Sequence, residues 1–201
     1  MLILRFDGLY YNTNDESSVP TQVNPPHAKT PAHALQSGVM CYGWLIYRAD
    51  KLIARGHGGF VRHEAASSNI AEYLALIEGL QALVDMHSDH EAVQIIGDAR
   101  SVIDQMSGTA RVNANTTRPL YRKALLLSRH FPLLTWTWTP RSKNHAAYLL
   151  TRRAMKQIRA DPERFRQALQ HIETPTLPAR LRKQLFSLLD LRVYQPAGMT
   201  Q

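Results

Sequence analysis

Apolar positions change their spacing several times along the chain, and each change marks an element. "LILRF" (2–6) is a short apolar run that reads as a buried strand. Residues 9–37 then lose all periodicity, with prolines scattered among Asn, Ser and Thr, as in a long loop or insertion. "GVMCYGWLIYR" (38–48) is rich in aromatic and β-branched residues; "ADK" turns the chain, and "LIARGHGGFV" (52–61) returns as the second strand of a hairpin. Ile70, Leu74, Ile77, Leu80 and Val84 recur at the three-to-four spacing of one helix face. Ser67, Ser68 or Asn69 is available to cap this helix, and Glu72 is expected in its first turn, where capping-box acids belong.

"AVQIIGD" (92–98) reads as the next strand and "ARSVIDQMSG" (99–108) as a short helix closed by Gly108. "TTRPLYRKALLLSRHF" (116–131) is a basic amphipathic helix. In "LLTWTWTP" (133–140), Leu134, Trp136 and Trp138 alternate with threonines, the period of a half-buried strand, with both indoles expected in the sheet core. Helical spacing resumes from Asn144 to about Ile158. The order predicts an α/β fold with a mixed five-stranded sheet flanked by helices: an antiparallel meander first, then parallel strands added through helical crossovers. Residues 1–157 form the expected domain, with 9–37 as an insertion. Residues 158–201 form a C-terminal extension expected to be helical, in "DPERFRQALQHIE" and "PARLRKQLFSLLDL".

Composition narrows the function classes. The 201 residues are 44% hydrophobic and 20% charged, a balance typical of water-soluble globular chains. No apolar run approaches the roughly 18–20 residues of a membrane span, so no membrane partner is expected. The single cysteine, Cys41, forms no internal disulfide, which suits a reducing compartment, and a cytoplasmic location is expected. Lys and Arg number 24 against 16 Asp and Glu, a formal charge of +8, which points towards a polyanionic partner.

Three acids share a setting. Asp7 and Asp98 each end an apolar strand, and Glu72 lies near the start of the helix between them. Singly, Asp98 reads equally as a helix N-cap, Glu72 as an acid favoured by the helix dipole, and Asp7–Gly8 as a turn. Neighbouring strand ends with a helix packed over them would gather all three, and carboxylates so gathered repel unless a cation intervenes. Hard oxygen donors suit Mg²⁺ or Mn²⁺.

"FDG" (6–8), "NIAEYLALIEGLQAL" (69–83), "GDARSVIDQMSG" (97–108) and "WTPRSKNHAAYLLTRRAM" (138–155) together resemble ribonuclease H of the type I fold. The resemblance covers about residues 1–157. It implies that Asp7, Glu72 and Asp98 are the catalytic metal ligands of an endonuclease that cuts the RNA strand of RNA–DNA hybrids. It also places Gly8, Ser68 and Asn69 beside the substrate, although each serves equally as a cap or turn residue. Arg100, Arg141 and Asn144 complete the candidate nucleic-acid contacts. A 2′-hydroxyl in a shallow minor groove is what such an enzyme senses.

Two departures from the family pattern stand out. A fourth acid is expected within a segment like Asn-x-x-Ala-Asp-x-Leu, but "NHAAYLL" carries Tyr148 there, and a neutral phenol is a poor ligand for Mg²⁺. His145, three residues earlier, is a candidate accessory residue for proton transfer or product release, or a plain surface histidine. Either three acids suffice, or the domain binds nucleic acid with impaired chemistry; another duplex as substrate is a third possibility. The second departure is the insertion at 9–37, where the family has a short turn. Together with 158–201 it offers a place for a protein partner.

Overall fold

The computed structural model describes residues 1–12, 38–62, 66–160 and 186–187. Six strands form one sheet in the order β5-β4-β1-β2-β3-β6. They are β1 (Leu2–Asn12), β2 (Gly38–Arg48), β3 (Lys51–Arg62), β4 (Val93–Gly97), β5 (Leu134–Trp138) and β6 (Phe186–Ser187). The first three are antiparallel, β4 runs parallel to β1, and β5 runs parallel to β4. This is the expected mixed sheet of five strands, plus a two-residue addition at the β3 edge.

Helices cover both faces. α1 (Ser68–Asp85), α2 (Arg100–Met106) and α3 (Arg118–Ser128) follow the strands on one side, and α4 (His145–Ala160) packs on the other. Leu2, Leu4 and Phe6 of β1 are fully buried with Trp44, Ile46, Ile70, Leu76 and Leu80. Each such side chain contributes about 1.5–3 kcal/mol over an exposed one, so the half of β1 that leads to Asp7 is held firmly. α4 offers a narrower stripe of Ala147, Leu150, Ala154 and Ile158, with Leu45 of β2 against it. Among the described residues no helix is long and apolar enough to cross a membrane.

Three expectations need correction. β1 continues to Asn12, pairing Leu9 to Cys41 and Tyr11 to Val39, so the first residues of the expected loop are strand and Asp7, expected to end β1, lies within it. Aromatic "LYY" has the propensity to extend the ladder wherever β2 offers a partner. Residues 13–37, the rest of that insertion, lie outside the described residues. Phe186 and Ser187, expected in a helix, pair antiparallel with Val61 and Phe60. The open edge of β3 supplies unpaired backbone groups, and local leucine spacing does not outweigh them. The other C-terminal helix expected from the sequence, 161–173, lies outside the described residues. α4 ends at Ala160, near the expected end of helical spacing at about Ile158. Third, Trp136 packs against the core as expected, but Trp138 at the end of β5 is 41% exposed. Its partner in the β4–β5 ladder is Gly97, which has no side chain to lie beside the ring, and β5 stands at the edge of the sheet.

Candidate metal centre

The parallel ladder between β1 and β4 ends at the pair Phe6 and Gly97, and the next residue on each strand is an acid, Asp7 and Asp98. Glu72 reaches the same point from α1, and one oxygen from each of the three carboxylates lies within 4.8 Å of the others. α1 is capped by Ser67, whose Oγ accepts the Ile70 N–H at 3.3 Å. Glu72 therefore lies a turn inside the helix and not in its first turn as expected, so it closes no capping box. Nor does Asp98 cap α2, whose N-cap is Ala99. Both acids are thus free of the bland roles open to them.

Gly8 explains how α1 comes so close. A Cβ at this position would stand 2.2 Å from the Glu72 nitrogen and 2.3 Å from the Ala71 carbonyl carbon. Only glycine lets the helix backbone lie on β1 here, and that approach delivers Glu72 to Asp7. Gly8 is itself buried, so its contact is with the helix.

Electrostatics makes the cluster unfavourable as it stands. Burial, then the neighbouring Asp98, pushes the Asp7 carboxyl up to about 7, against smaller opposing effects of Arg141 and Thr151. Glu72 is raised well above the usual carboxylate range by burial, then by Asp7 and Asp98, while the Gly8 backbone works the other way. Among the described residues, Asp7 Oδ1 and Glu72 Oε2 are buried without a hydrogen-bond partner. Buried, like-charged oxygens with unused lone pairs are what a divalent ion with oxygen ligands requires, and the donor set fits Mg²⁺ or Mn²⁺.

The surroundings orient the acids. Asn144, 1% exposed, donates from Nδ2 to Asp98 Oδ1 at 2.7 Å and to the Phe6 carbonyl at 2.7 Å. Its amide points inward and holds the site together. Thr151 donates its hydroxyl to Asp7 Oδ2 at 3.2 Å. Arg141, on a 3₁₀ turn (Arg141–Lys143), places Nη2 3.9 Å from Asp7 Oδ1 and Nε 3.8 Å from Asp98 Oδ2. Its guanidinium also lies over the Tyr148 ring, 4.8 Å from the centroid. His145 is exposed, its ring tilted against Tyr148 at 6.1 Å.

Farther out, Ser68 is exposed at the start of α1, and Asn69 accepts a hydrogen bond from Ser101 at 3.0 Å, tying α1 to α2. Arg100 is exposed, pairs with Asp104 at 3.5 Å and covers the Trp138 ring at 5.0 Å. Trp138 in turn donates its indole N–H to the Asp98 carbonyl at 3.1 Å. Two participants escaped the sequence reading. Trp138 was assigned to the core, and Thr151 was not singled out, although a polar residue within the apolar stripe of α4, one turn after Tyr148, is a signal of the right kind.

A mixed sheet in this order, with an acid on each strand just past the end of the β1–β4 ladder and a third on the crossing helix, defines the ribonuclease H fold. The chain belongs to the reverse transcriptase-like family, whose model matches residues 42–154. The bifunctional protein Rv2228c of Mycobacterium tuberculosis is 33% identical over 116 residues, which are 57% of this chain and 30% of that protein. The chain thus matches less than a third of the length of that relative. The RNase H1 of the halophilic archaeon Halobacterium salinarum superposes with a TM-score of 0.56 at 25% identity, covering 78% of this chain and 98% of that one. LC11-RNase H1, isolated from compost and solved in complex with an RNA/DNA hybrid, gives 0.54 at 21% identity, covering 78% and 98%.

Proposed function

We propose that this chain is a divalent-metal-dependent endonuclease that cleaves the RNA strand of RNA–DNA hybrids. The observation that carries the reading is the convergence of Asp7, Glu72 and Asp98 within 4.8 Å in a buried setting. These three residues would hold Mg²⁺ or Mn²⁺, which supplies Lewis-acid chemistry: a hydroxide-like nucleophile from bound water and relief of charge on the leaving oxygen. Asn144 and Thr151 fix the carboxylates of Asp98 and Asp7 by hydrogen bonds, so neither carboxylate has to reorganise to take up an ion. Arg100 and Arg141 stand exposed at the rim, and Arg118, Arg122 and Lys123 are exposed on α3. These cations would meet phosphates and make affinity fall with salt. Asn69 and Ser68 sit at the start of α1, on the approach to Glu72.

The resemblance to ribonucleases H supports the substrate, as does the hybrid bound by LC11-RNase H1. For location, a reducing cytoplasmic setting is the proposal that suits a lone, buried cysteine. Residues 9–37 and 158–201, the two segments outside the family pattern, are proposed as the places for a protein partner.

Tyr148 favours a second reading. The ring at the fourth-acid position supports an arginine instead of offering a carboxylate, as expected of a domain that binds nucleic acid without cutting it. Incubating a labelled RNA–DNA hybrid in Mg²⁺ and in Mn²⁺, with Asp98→Asn alongside, separates the two. Metal-dependent products that vanish in the variant support the nuclease. Retention of the hybrid at low salt without products in either metal supports the binding module.

A further inference from the structure

We propose that Arg141, seated on the Tyr148 ring, is a built-in counter-cation of the carboxylate cluster and competes with divalent metal for it. This rests on reading Asp7, Glu72 and Asp98 as a metal centre. The guanidinium faces two of the three carboxylates at once, Nη2 towards Asp7 at 3.9 Å and Nε towards Asp98 at 3.8 Å. Both distances exceed a hydrogen bond, so the attraction is coulombic and leaves the oxygens' lone pairs unused. Asp7 Oδ1, the oxygen Arg141 faces, is one of those without a hydrogen-bond partner.

Tyr148 fixes the arginine in this position. Its ring lies beneath the guanidinium, and a cation on an aromatic face is attracted by the ring's quadrupole. A carboxylate at 148 would add a ligand for the ion. The tyrosine instead supports a positive charge beside the ion's place, so the substitution acts twice against metal. At 58% exposure, Arg141 has room to swing outward when an ion arrives. Metal occupancy and release of a rim arginine are therefore linked, and the linkage is reciprocal.

Calorimetric titration of Mn²⁺ into the full-length chain, without nucleic acid and at about pH 8, tests this independently of cleavage. Arg141→Gln is expected to bind Mn²⁺ roughly fivefold or more tightly than the wild type. Tyr148→Phe keeps the aromatic face and is expected to match the wild type, while Tyr148→Leu moves part of the way towards Arg141→Gln. Lys143→Gln removes one charge from the same exposed turn and is expected to change affinity by less than about twofold. Equal or weaker binding by Arg141→Gln overturns the proposal and leaves the metal centre standing. A Tyr148→Leu titration identical to wild type overturns the part given to the ring. Absence of Mn²⁺ binding in every variant overturns the metal centre and the competition together.

Discussion

Asn144 holds Asp98 by a 2.7 Å hydrogen bond, and the same amide nitrogen is 2.7 Å from the carbonyl of Phe6, the residue before Asp7. One buried side chain thus ties Asp98 and the backbone beside Asp7 to the start of α4. Asn144→Ala would free Asp98 to turn and leave the Phe6 carbonyl unpaired in the interior. The expected loss is about 1–3 kcal/mol of stability, seen as a lower urea midpoint, together with weaker metal binding. An unchanged midpoint would show that water replaces the amide at no cost.

The metal-free protein should become less stable as pH rises. Asp7 titrates near 7 in the fold against an ordinary value of 3.8, so between those values the folded chain keeps a proton that the unfolded chain has released. Its stabilising contribution is whole below about pH 4 and is lost as pH passes 7; Glu72 acts in the same direction. The loss at Asp7 is on the order of 4 kcal/mol at most. Urea midpoints measured across this range in a chelator should fall with pH, and millimolar Mn²⁺ should flatten the slope. A flat profile in chelator would mean that the acids are not buried together.

Restoring the fourth acid should improve catalysis. Tyr148→Asp replaces the arginine's platform with an oxygen ligand beside Asp7 and Asp98, and roughly 10–100-fold faster Mg²⁺-dependent cleavage of hybrid is expected. The initial rate at saturating substrate is the measurement. No gain would show that position 148 does not face the ions.

Gly8→Ala should be among the most damaging single substitutions in the domain. Its methyl group would stand 2.2 Å from the Glu72 nitrogen, against the backbone of α1 with no flexible side chain to yield. About 3 kcal/mol or more of stability is expected to be lost. Glu72 would move away from Asp7, so Mn²⁺ affinity should fall even in chains that remain folded. Thermal melting and calorimetry together read both effects.

The strands, the helices and the three acids could be read from the sequence because each rests on local pattern. β2 (Gly38–Arg48) carries its aromatic and branched residues in one run, and the "IIGD" ending of β4 announces a strand that stops at an acid. What the sequence could not show depends on contacts between distant segments. Asn144 reads as a nucleic-acid contact at the start of a helix, until Phe6 and Asp98 close around it from 138 and 46 residues away. Trp138 alternates like a core residue, but its ladder partner Gly97 offers no side chain to cover it. Phe186–Ser187 reads as helix because leucines surround it, and the edge of β3 makes it strand. The partnership of Arg141 and Tyr148 is invisible in sequence because a basic residue before a helix usually means no more than a solvated surface.

Asp7 sits opposite Gly43 in the β1–β2 ladder, and a Cβ on Gly43 would come within 2.6 Å of Leu150 and 2.7 Å of the Ala147 carbonyl. Gly8 makes the same allowance for α1 one residue later. The sheet is therefore pinched between two helix backbones at the level of the acids, and the gauge of the cleft is set by two absent methyl groups. Neither glycine's contact involves the side chain at 148, so a change there would leave the width of the cleft as it is. Tolerance of chemical variation at the rim and intolerance of a single carbon beneath it follow from the same piece of backbone geometry.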